Sequence, residues 1–400
     1  MVIAAPIQNT PGQSSTVSLG GCTRRAIIAL PDGRGNARSQ AAETIAALQS
    51  ALENPDAPMR LVSATVFFRA PGDEPVLRAM LIEAFGSLVI TFVNQPPCCG
   101  AALIIEAWAI GGPDVRLEEF GRHAVAWSHD GARWVHCGDI AAADHPEGVY
   151  AQSSIALQRM GRALRDAGAS LENVVRTWFY LGQIVGEDGE TQRYKELNRA
   201  RTDFYNGVTF QSRLLQEPNA QAFYPASTGI GMDGRGLSAS CLALQTTRED
   251  VRLLALENPQ QTPAYTYHPR YSPQSPKFSR AMALALGHSI TTWVSGTASI
   301  VNSESQHEGS PERQTEQTIE NIERLISAGN FKSHGMPGAG ATLHDLAKAR
   351  VYVKRPEDFD AVRSVCLRRF GPVPVVYVVA DVCRPELLVE IEGVAFSRLA

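Results

Sequence analysis

The chain is expected to fold as an α+β protein: three β-sheet units, each with two helices on one face, gathered about a pseudo-symmetry axis like the subunits of a trimer. Three features lead there. A unit of helix, strand, helix and closing strand recurs three times along the sequence. Each first helix carries an apolar stripe at helical spacing, which has to be covered by something. The spacing within copies one and three nearly coincides, since Thr65 and Glu106 are 41 positions apart and Arg350 and Glu390 are 40.

In the first copy the stripe is Ala41, Ile45, Leu48 and Leu52, followed by a strand over 62–68, a helix over 74–85 and a strand over 102–110. The second has Leu157, Met160 and Leu164, then a strand over 174–180, a helix over 194–205 and a strand over 237–244, stretched by a loop over 206–222. The third has Thr318, Ile319, Ile322, Leu325 and Ile326, then a strand over 347–353, a helix over 356–370 and a strand over 388–395. Strands over 124–128 and 132–139 open the second unit as a hairpin across His129-Asp130-Gly131, whose Asp-Gly pair favours a tight turn. Strands over 281–286 and 290–295 open the third. The first unit has no opening hairpin of that strength, and 22–30 supplies only part of one. Residues 1–20 read as a flexible tail, 21–112 as the first unit, 113–245 as the second, 246–275 as a proline-rich linker or wrapped loop, and 276–400 as the third, with a glycine-rich inserted loop over 330–340.

Composition narrows the function classes. With 400 residues, 44% hydrophobic and 20% charged, the chain can bury two or three cores. A net charge of −4 leaves no large basic field, so neither nucleic acid nor an anionic membrane is expected as a partner. The seven cysteines stand at 22, 98, 99, 137, 241, 366 and 383 without a Cys-x-x-Cys pair, which fits reduced thiols in a cytoplasmic protein. No secretory pattern opens the chain, no apolar run approaches the roughly 20 residues of a membrane span, and no histidines pair at metal-binding spacing. Walker, dinucleotide and Gly-x-Ser-x-Gly patterns are missing, and Gly229-Ile-Gly231 and Gly234-Arg-Gly236 open no expected helix.

The third closing strand is the exception to an otherwise ordinary inventory. Side chains alternate along a strand, so Glu390 and Glu392 share one face, about 7 Å apart. If a neighbouring unit covers that face, at least one carboxyl is desolvated and retains its proton near neutral pH. The alternative is a solvated edge strand with two idle acids. Copy two has no carboxylate in its closing strand and copy one has only Glu106, an asymmetry that fits one specialised site among three related positions.

Several motifs, taken together, resemble one family. The run Asp381-Val-Cys-Arg-Pro-Glu-Leu-Leu-Val-Glu-Ile-Glu-Gly393 is similar to the closing strand of chorismatases, enzymes built from RidA-like (YjgF-like) domains that cut the enolpyruvyl ether of chorismate. Val294-Ser-Gly-Thr-Ala-Ser-Ile300, Gln314-Thr-Glu-Gln-Thr-Ile-Glu-Asn-Ile322, Ser275-Pro-Lys-Phe-Ser-Arg-Ala281, Arg176-Thr-Trp-Phe-Tyr180 and Tyr224-Pro-Ala-Ser-Thr-Gly-Ile-Gly231 also match in order, over roughly 120–398. The resemblance implies that Glu390 protonates the enol methylene of the substrate and that no metal or cofactor takes part. Glu392 would tune or anchor the strand.

Chorismate has two carboxylates, so its pocket needs cations, preferably forked guanidiniums. Arg280, Arg363 and Arg384 in the third unit and Arg201 in the second are the candidates, and each also reads as an ordinary surface charge. Tyr224 and Tyr271 could donate a hydroxyl to a carboxylate or the ring hydroxyl, or simply pack. By the resemblance, Cys383 with Gly296 marks the subtype that releases 3-hydroxybenzoate with pyruvate. Three rival readings remain: a hydrolase giving a dihydroxycyclohexadiene carboxylate, a RidA-like imine deaminase, and a non-catalytic scaffold for a small acid. The deaminase reading lacks its arginine, because Pro372-Val-Pro-Val-Val-Tyr-Val-Val-Ala380 holds none. A chain with three units of its own is expected to be a monomer or a weak oligomer.

Overall fold

The computed structural model describes residues 3–4, 12–19, 21–53, 58–211, 214, 223–268 and 274–399. Three six-stranded mixed sheets form the frame. In unit one the order is Ile3–Ala4, Gly12–Leu19, Cys22–Ala29, Leu103–Gly111, Met59–Phe68, Ile90–Val93. Unit two runs Arg116–Phe120, Ala124–His129, Ala132–Ala142, Leu237–Thr246, Val174–Gly182, Ala226–Met232, and unit three runs Arg252–Leu256, Ala281–Leu286, Ser289–Ala298, Val389–Arg398, Leu346–Val353, Val375–Val379. The order is the same each time: an opening hairpin, the closing strand beside it, then the middle strand, and a parallel edge strand last. The triplication expected from the sequence is therefore present in topology as well as in pattern.

Two long helices cover one face of each sheet. Ile45 and Leu48 of Ala37–Leu52 pack with Leu77 and Leu81 of Glu74–Phe85 in unit one. Leu157, Met160 and Leu164 of Val149–Asp166 pack with Leu197 of Arg193–Phe204 in unit two. Ile319, Ile322 and Leu325 of Pro311–Ile326 pack with Val362 and Cys366 of Phe359–Phe370 in unit three. The opposite faces of the three sheets meet at the centre, where Ile110, Trp127, Trp134, Leu242, Trp293, Val394 and Phe396 share one apolar cluster. The edge strand of each unit lies against the next unit. The amide of Asp139 donates to Thr91 Oγ1 (3.1 Å) between units one and two, that of Ser227 to Ser295 Oγ (2.9 Å) between two and three, and that of Val379 to the Pro96 carbonyl (2.8 Å) between three and one.

Several expectations are corrected. Residues 12–19, read as tail, form a strand paired along its length with Cys22–Ala29, so unit one has its opening hairpin. Its polar composition hid it: inward-facing Ser15 takes a core position by donating its hydroxyl to the Ala347 carbonyl (2.5 Å), and Val17 and Leu19 share its buried face. The 246–275 stretch supplies the edge strand Arg252–Leu256, and the 330–340 loop begins inside a short helix, Ala328–Ser333. The hairpin at His129-Asp130-Gly131 closes with positive φ at both Asp130 (49°) and Gly131 (71°), as a two-residue turn of that hand requires.

Register corrects one reading that bears on function. Thr65 pairs with Glu106, Trp178 with Ser240 and Arg350 with Glu392, each at the same place after a bulge in the middle strand. Glu106 is thus the counterpart of Glu392. The counterpart of Glu390, which sits opposite Tyr352, is Ile104 in unit one and Ser238 in unit two.

Candidate active site

Where the edge strand of unit two meets unit three, a cavity of about 380 Å³ opens. Unit two supplies Gln192 just ahead of its second helix, Tyr194, Lys195, Asn198 and Arg201 from that helix, and Ser227 and Gly229 from its edge strand. Unit three supplies Gly296, Ala298 and Ile300, then Cys383, Arg384, Glu386 and Glu390, while Tyr267, Pro276, Phe278 and Arg280 come from the connecting segment.

Glu390 stands at the base, 4% exposed. Among the described residues no hydrogen bond or ion pair reaches its carboxyl. Burial raises its pKa, the neighbouring charge of Glu392 adds to that, and Arg176 and Arg280 oppose it only in part, leaving it at about 8. The acid is therefore protonated at neutral pH and free to give its proton to whatever occupies the cavity. Glu392, two residues along the same face, behaves in the opposite way. Burial pushes its carboxyl up, but Arg350 and Arg176 outweigh that and hold it below the usual range. It accepts from Arg176 (2.5 Å) and from Trp178 Nε1 (3.1 Å), contacts Thr228 Oγ1, and pairs with Arg350 (3.0 Å).

Space for the acid comes from Gly296. A Cβ there would lie 2.0 Å from Glu390 Oε1. The backbone at 296 bulges from its register with the closing strand, and its amide donates to Thr228 Oγ1 (3.0 Å). Gly229 does the same for Tyr194, whose ring lies 3.0 Å from where a Cβ would stand.

Two guanidiniums line the cavity with this acid. Arg201 is 1% exposed and is held by Asn198 Oδ1 (2.6 Å) and Ser227 Oγ (3.2 Å). Its Nε finds no partner, and no carboxylate pairs with it, among the described residues. Arg280 donates to the Thr262 carbonyl (3.1 Å) and to Tyr267 (2.5 Å), and its buried Nε is also unpartnered among the described residues. Phe278 lies between them, 5.8 Å from one guanidinium and 5.6 Å from the other. A buried guanidinium without an anion is costly unless an anionic ligand completes it. The arrangement places a buried acid and two buried cations in one cavity.

Among curated proteins, the 3-hydroxybenzoate synthase of Streptomyces hygroscopicus is 36% identical to this chain over 296 residues, covering 72% of this chain and 80% of the relative. The chain belongs to the chorismatase family. A chorismatase of Streptomyces rapamycinicus is 34% identical over 297 residues, covering 72% of this chain and 81% of its own. The family described as chorismatase FkbO/Hyg5-like, N-terminal, matches residues 106–243. A crystal structure of a chorismatase superposes with a TM-score of 0.62 at 23% identity, covering 84% of this chain and 93% of that one, so the fold is shared.

For this chorismatase-family chain, Glu390, Arg201, Arg280, Gly296, Cys383 and Arg384 all line the one cavity. Arg384 donates to the Ser303 carbonyl (2.9 Å) at its rim. Two expected residues are not among the lining, and a third falls where nothing is described. Arg363 is exposed on the outer helix of unit three, because the face of Phe359–Phe370 that turns inward is taken by Val362, Val365 and Cys366. Tyr224 packs behind the wall against Tyr205, Phe210 and Tyr265. Tyr271 lies outside the described residues. Sequence reading missed Tyr194, Lys195, Asn198, Tyr267 and Phe278. The first and third of these had a signal, since Tyr194, Asn198 and Arg201 follow at i, i+4 and i+7 on one helix face.

Burial pushes the Cys383 thiol up, and the charge of Glu390 adds to it, to about 12. No cluster of His, Cys, Asp and Glu suited to a metal occurs among the described residues, and no helix there is long and apolar enough to cross a membrane.

Proposed function

We propose that this protein cleaves the enolpyruvyl ether of chorismate to 3-hydroxybenzoate and pyruvate, with Glu390 as the general acid. The observation that carries the reading is the protonated, unpartnered carboxyl of Glu390 sharing one cavity with the guanidiniums of Arg201 and Arg280, each of which has an unpartnered Nε among the described residues.

An enol ether is inert until its methylene carbon accepts a proton. Glu390 gives that proton, and the positive charge appears on the ether oxygen and its carbon. The buried carboxylate left behind stabilises that cation. On the route to 3-hydroxybenzoate the neighbouring ring hydroxyl attacks the ring carbon that bears the ether. The bond from that carbon to the ether oxygen breaks and the oxygen leaves as the carbonyl of pyruvate. Cleavage of the hydroxyl's original C–O bond, with loss of a ring proton, then makes the ring aromatic. On the diol route water adds to the cationic carbon, and the resulting hemiketal breaks its bond to the ether oxygen, which stays on the ring as a hydroxyl. 3-Hydroxybenzoate and pyruvate together contain all the atoms of chorismate, so this route takes up no water overall, whereas the diol route consumes one. Ring aromatisation returns a proton to the site. Arg201 and Arg280 hold the two carboxylates of the substrate, and the forked guanidinium geometry fixes the methylene over Glu390. The similarity to a 3-hydroxybenzoate synthase supports the 3-hydroxybenzoate product over the diol.

The test is to incubate purified protein with chorismate, follow pyruvate and identify the ring product by mass and chromatography. Pyruvate with 3-hydroxybenzoate supports the reading. Pyruvate with the non-aromatic diol overturns the product, and no pyruvate overturns the activity.

A further inference from the structure

Five buried charged side chains from all three units meet at the pseudo-symmetry axis, behind the proposed acid. Glu106 of unit one pairs with Arg350 through Nε (2.6 Å) and a second nitrogen (2.8 Å), and with Lys348. Arg350 passes on to Glu392 (3.0 Å) and to the Tyr180 hydroxyl (2.6 Å), and Glu392 closes the chain on Arg176. All five are at most 4% exposed. Such a cluster could serve only to hold the units together. Two facts point further. Glu392 shares a strand face with Glu390, and Thr228 touches Glu392 while accepting from the amide of Gly296, the residue that gives Glu390 its room.

We propose that Glu392 is a positioning residue for Glu390, and that Glu106 of the N-terminal unit, acting through Arg350, holds Glu392 in that role. The proposal rests on Glu390 being the acid. It gives unit one, none of whose described residues lines the cavity, a part in the reaction. The groups that face Glu390 are Glu392 on its own strand, Tyr352 on the neighbouring strand, Arg176 and Tyr194 from unit two, Arg280 from the connecting segment and Cys383 from the preceding loop. Of these only Glu392 is an anion at neutral pH, so only it favours the protonated acid. Glu106 takes up the charges of Lys348 and Arg350. Without it three cations would face a single anion, and the field at Glu390 would favour the carboxylate.

The experiment measures kcat/KM against pH for wild type, E392Q, E392D and E106Q, with melting temperatures for each. The alkaline limb of kcat/KM reports the acid of the free enzyme. E392Q is expected to move that limb down by about one pH unit or more, E106Q in the same direction by less, and E392D, which keeps the charge, to leave it near the wild-type position. Folded E392Q and E106Q with an unmoved limb overturn the proposal, as does failure of both to fold, which would make the cluster purely structural. If E392Q alone fails to fold, E106Q decides. Failure of the underlying reading looks different: E390Q would then remain active.

Discussion

A side chain at 296 and the carboxyl of Glu390 cannot both occupy their present places, because a Cβ on Gly296 would stand 2.0 Å from Oε1. The clash is with the end of a flexible side chain, so the acid moves and the fold survives. We expect G296A to melt close to wild type, to lose about tenfold in turnover, and to raise the proportion of diol by shifting the acid relative to the substrate. Chromatography of the products with a melting curve checks it, and an unchanged rate and product ratio would show that the contact is idle.

Replacing Glu390 with Gln should abolish proton delivery while preserving shape. Turnover is expected to fall by about 10²–10⁴-fold, with chorismate binding retained. Single-turnover pyruvate release, alongside calorimetric binding, separates the two.

The same carboxyl makes stability depend on pH. Its pKa rises from 4.5 to about 8 on folding, so its contribution to stability is complete below about 4.5 and is lost as pH climbs to about 8. The loss is at most roughly 5 kcal/mol on a scale of about 1.36 kcal/mol per pH unit. E390Q cannot ionise, so its melting temperature should gain on wild type steadily between pH 5 and 8. A constant difference across that range would place the wild-type pKa elsewhere.

Arg201 has no carboxylate partner of its own among the described residues, so its loss should be felt in binding. R201K keeps the charge but not the fork, and KM for chorismate is expected to rise about 10- to 100-fold with little change in melting temperature. R363A, by contrast, alters an exposed side chain on the outer helix and should leave KM and kcat as they are. Equal effects from the two would contradict the placement of the cavity wall.

The Cys383 thiol, pushed up to about 12, stays protonated and unreactive at neutral pH. Iodoacetamide is expected to label exposed Cys99 first and to leave activity in place. Mass mapping of early adducts tests this, and rapid labelling of Cys383 with loss of turnover would refute it.

Much of the architecture was legible because its causes are local. Apolar stripes, strand alternation and an Asp-Gly turn depend on neighbours in sequence, and they marked all three helix pairs and two of the three hairpins. The hairpin of unit one escaped because a buried Ser15 finds its partner at Ala347, more than three hundred residues away. Arg363 and Arg201 look alike as helix arginines, yet one faces solvent and the other a cavity, since only packing between units decides which helix face is covered. Spacing likewise left open which of Glu390 and Glu392 corresponds to Glu106, and strand register decides for Glu392.

From its order of residues alone, this protein had its α+β class, its threefold repeat and the shared face of Glu390 and Glu392, all consequences of period and propensity. Which of those two acids retains a proton was decided only in three dimensions. Identical groups separate in pKa when one is paired with guanidiniums and the other is buried without a partner, and those surroundings are assembled from segments far apart in the chain.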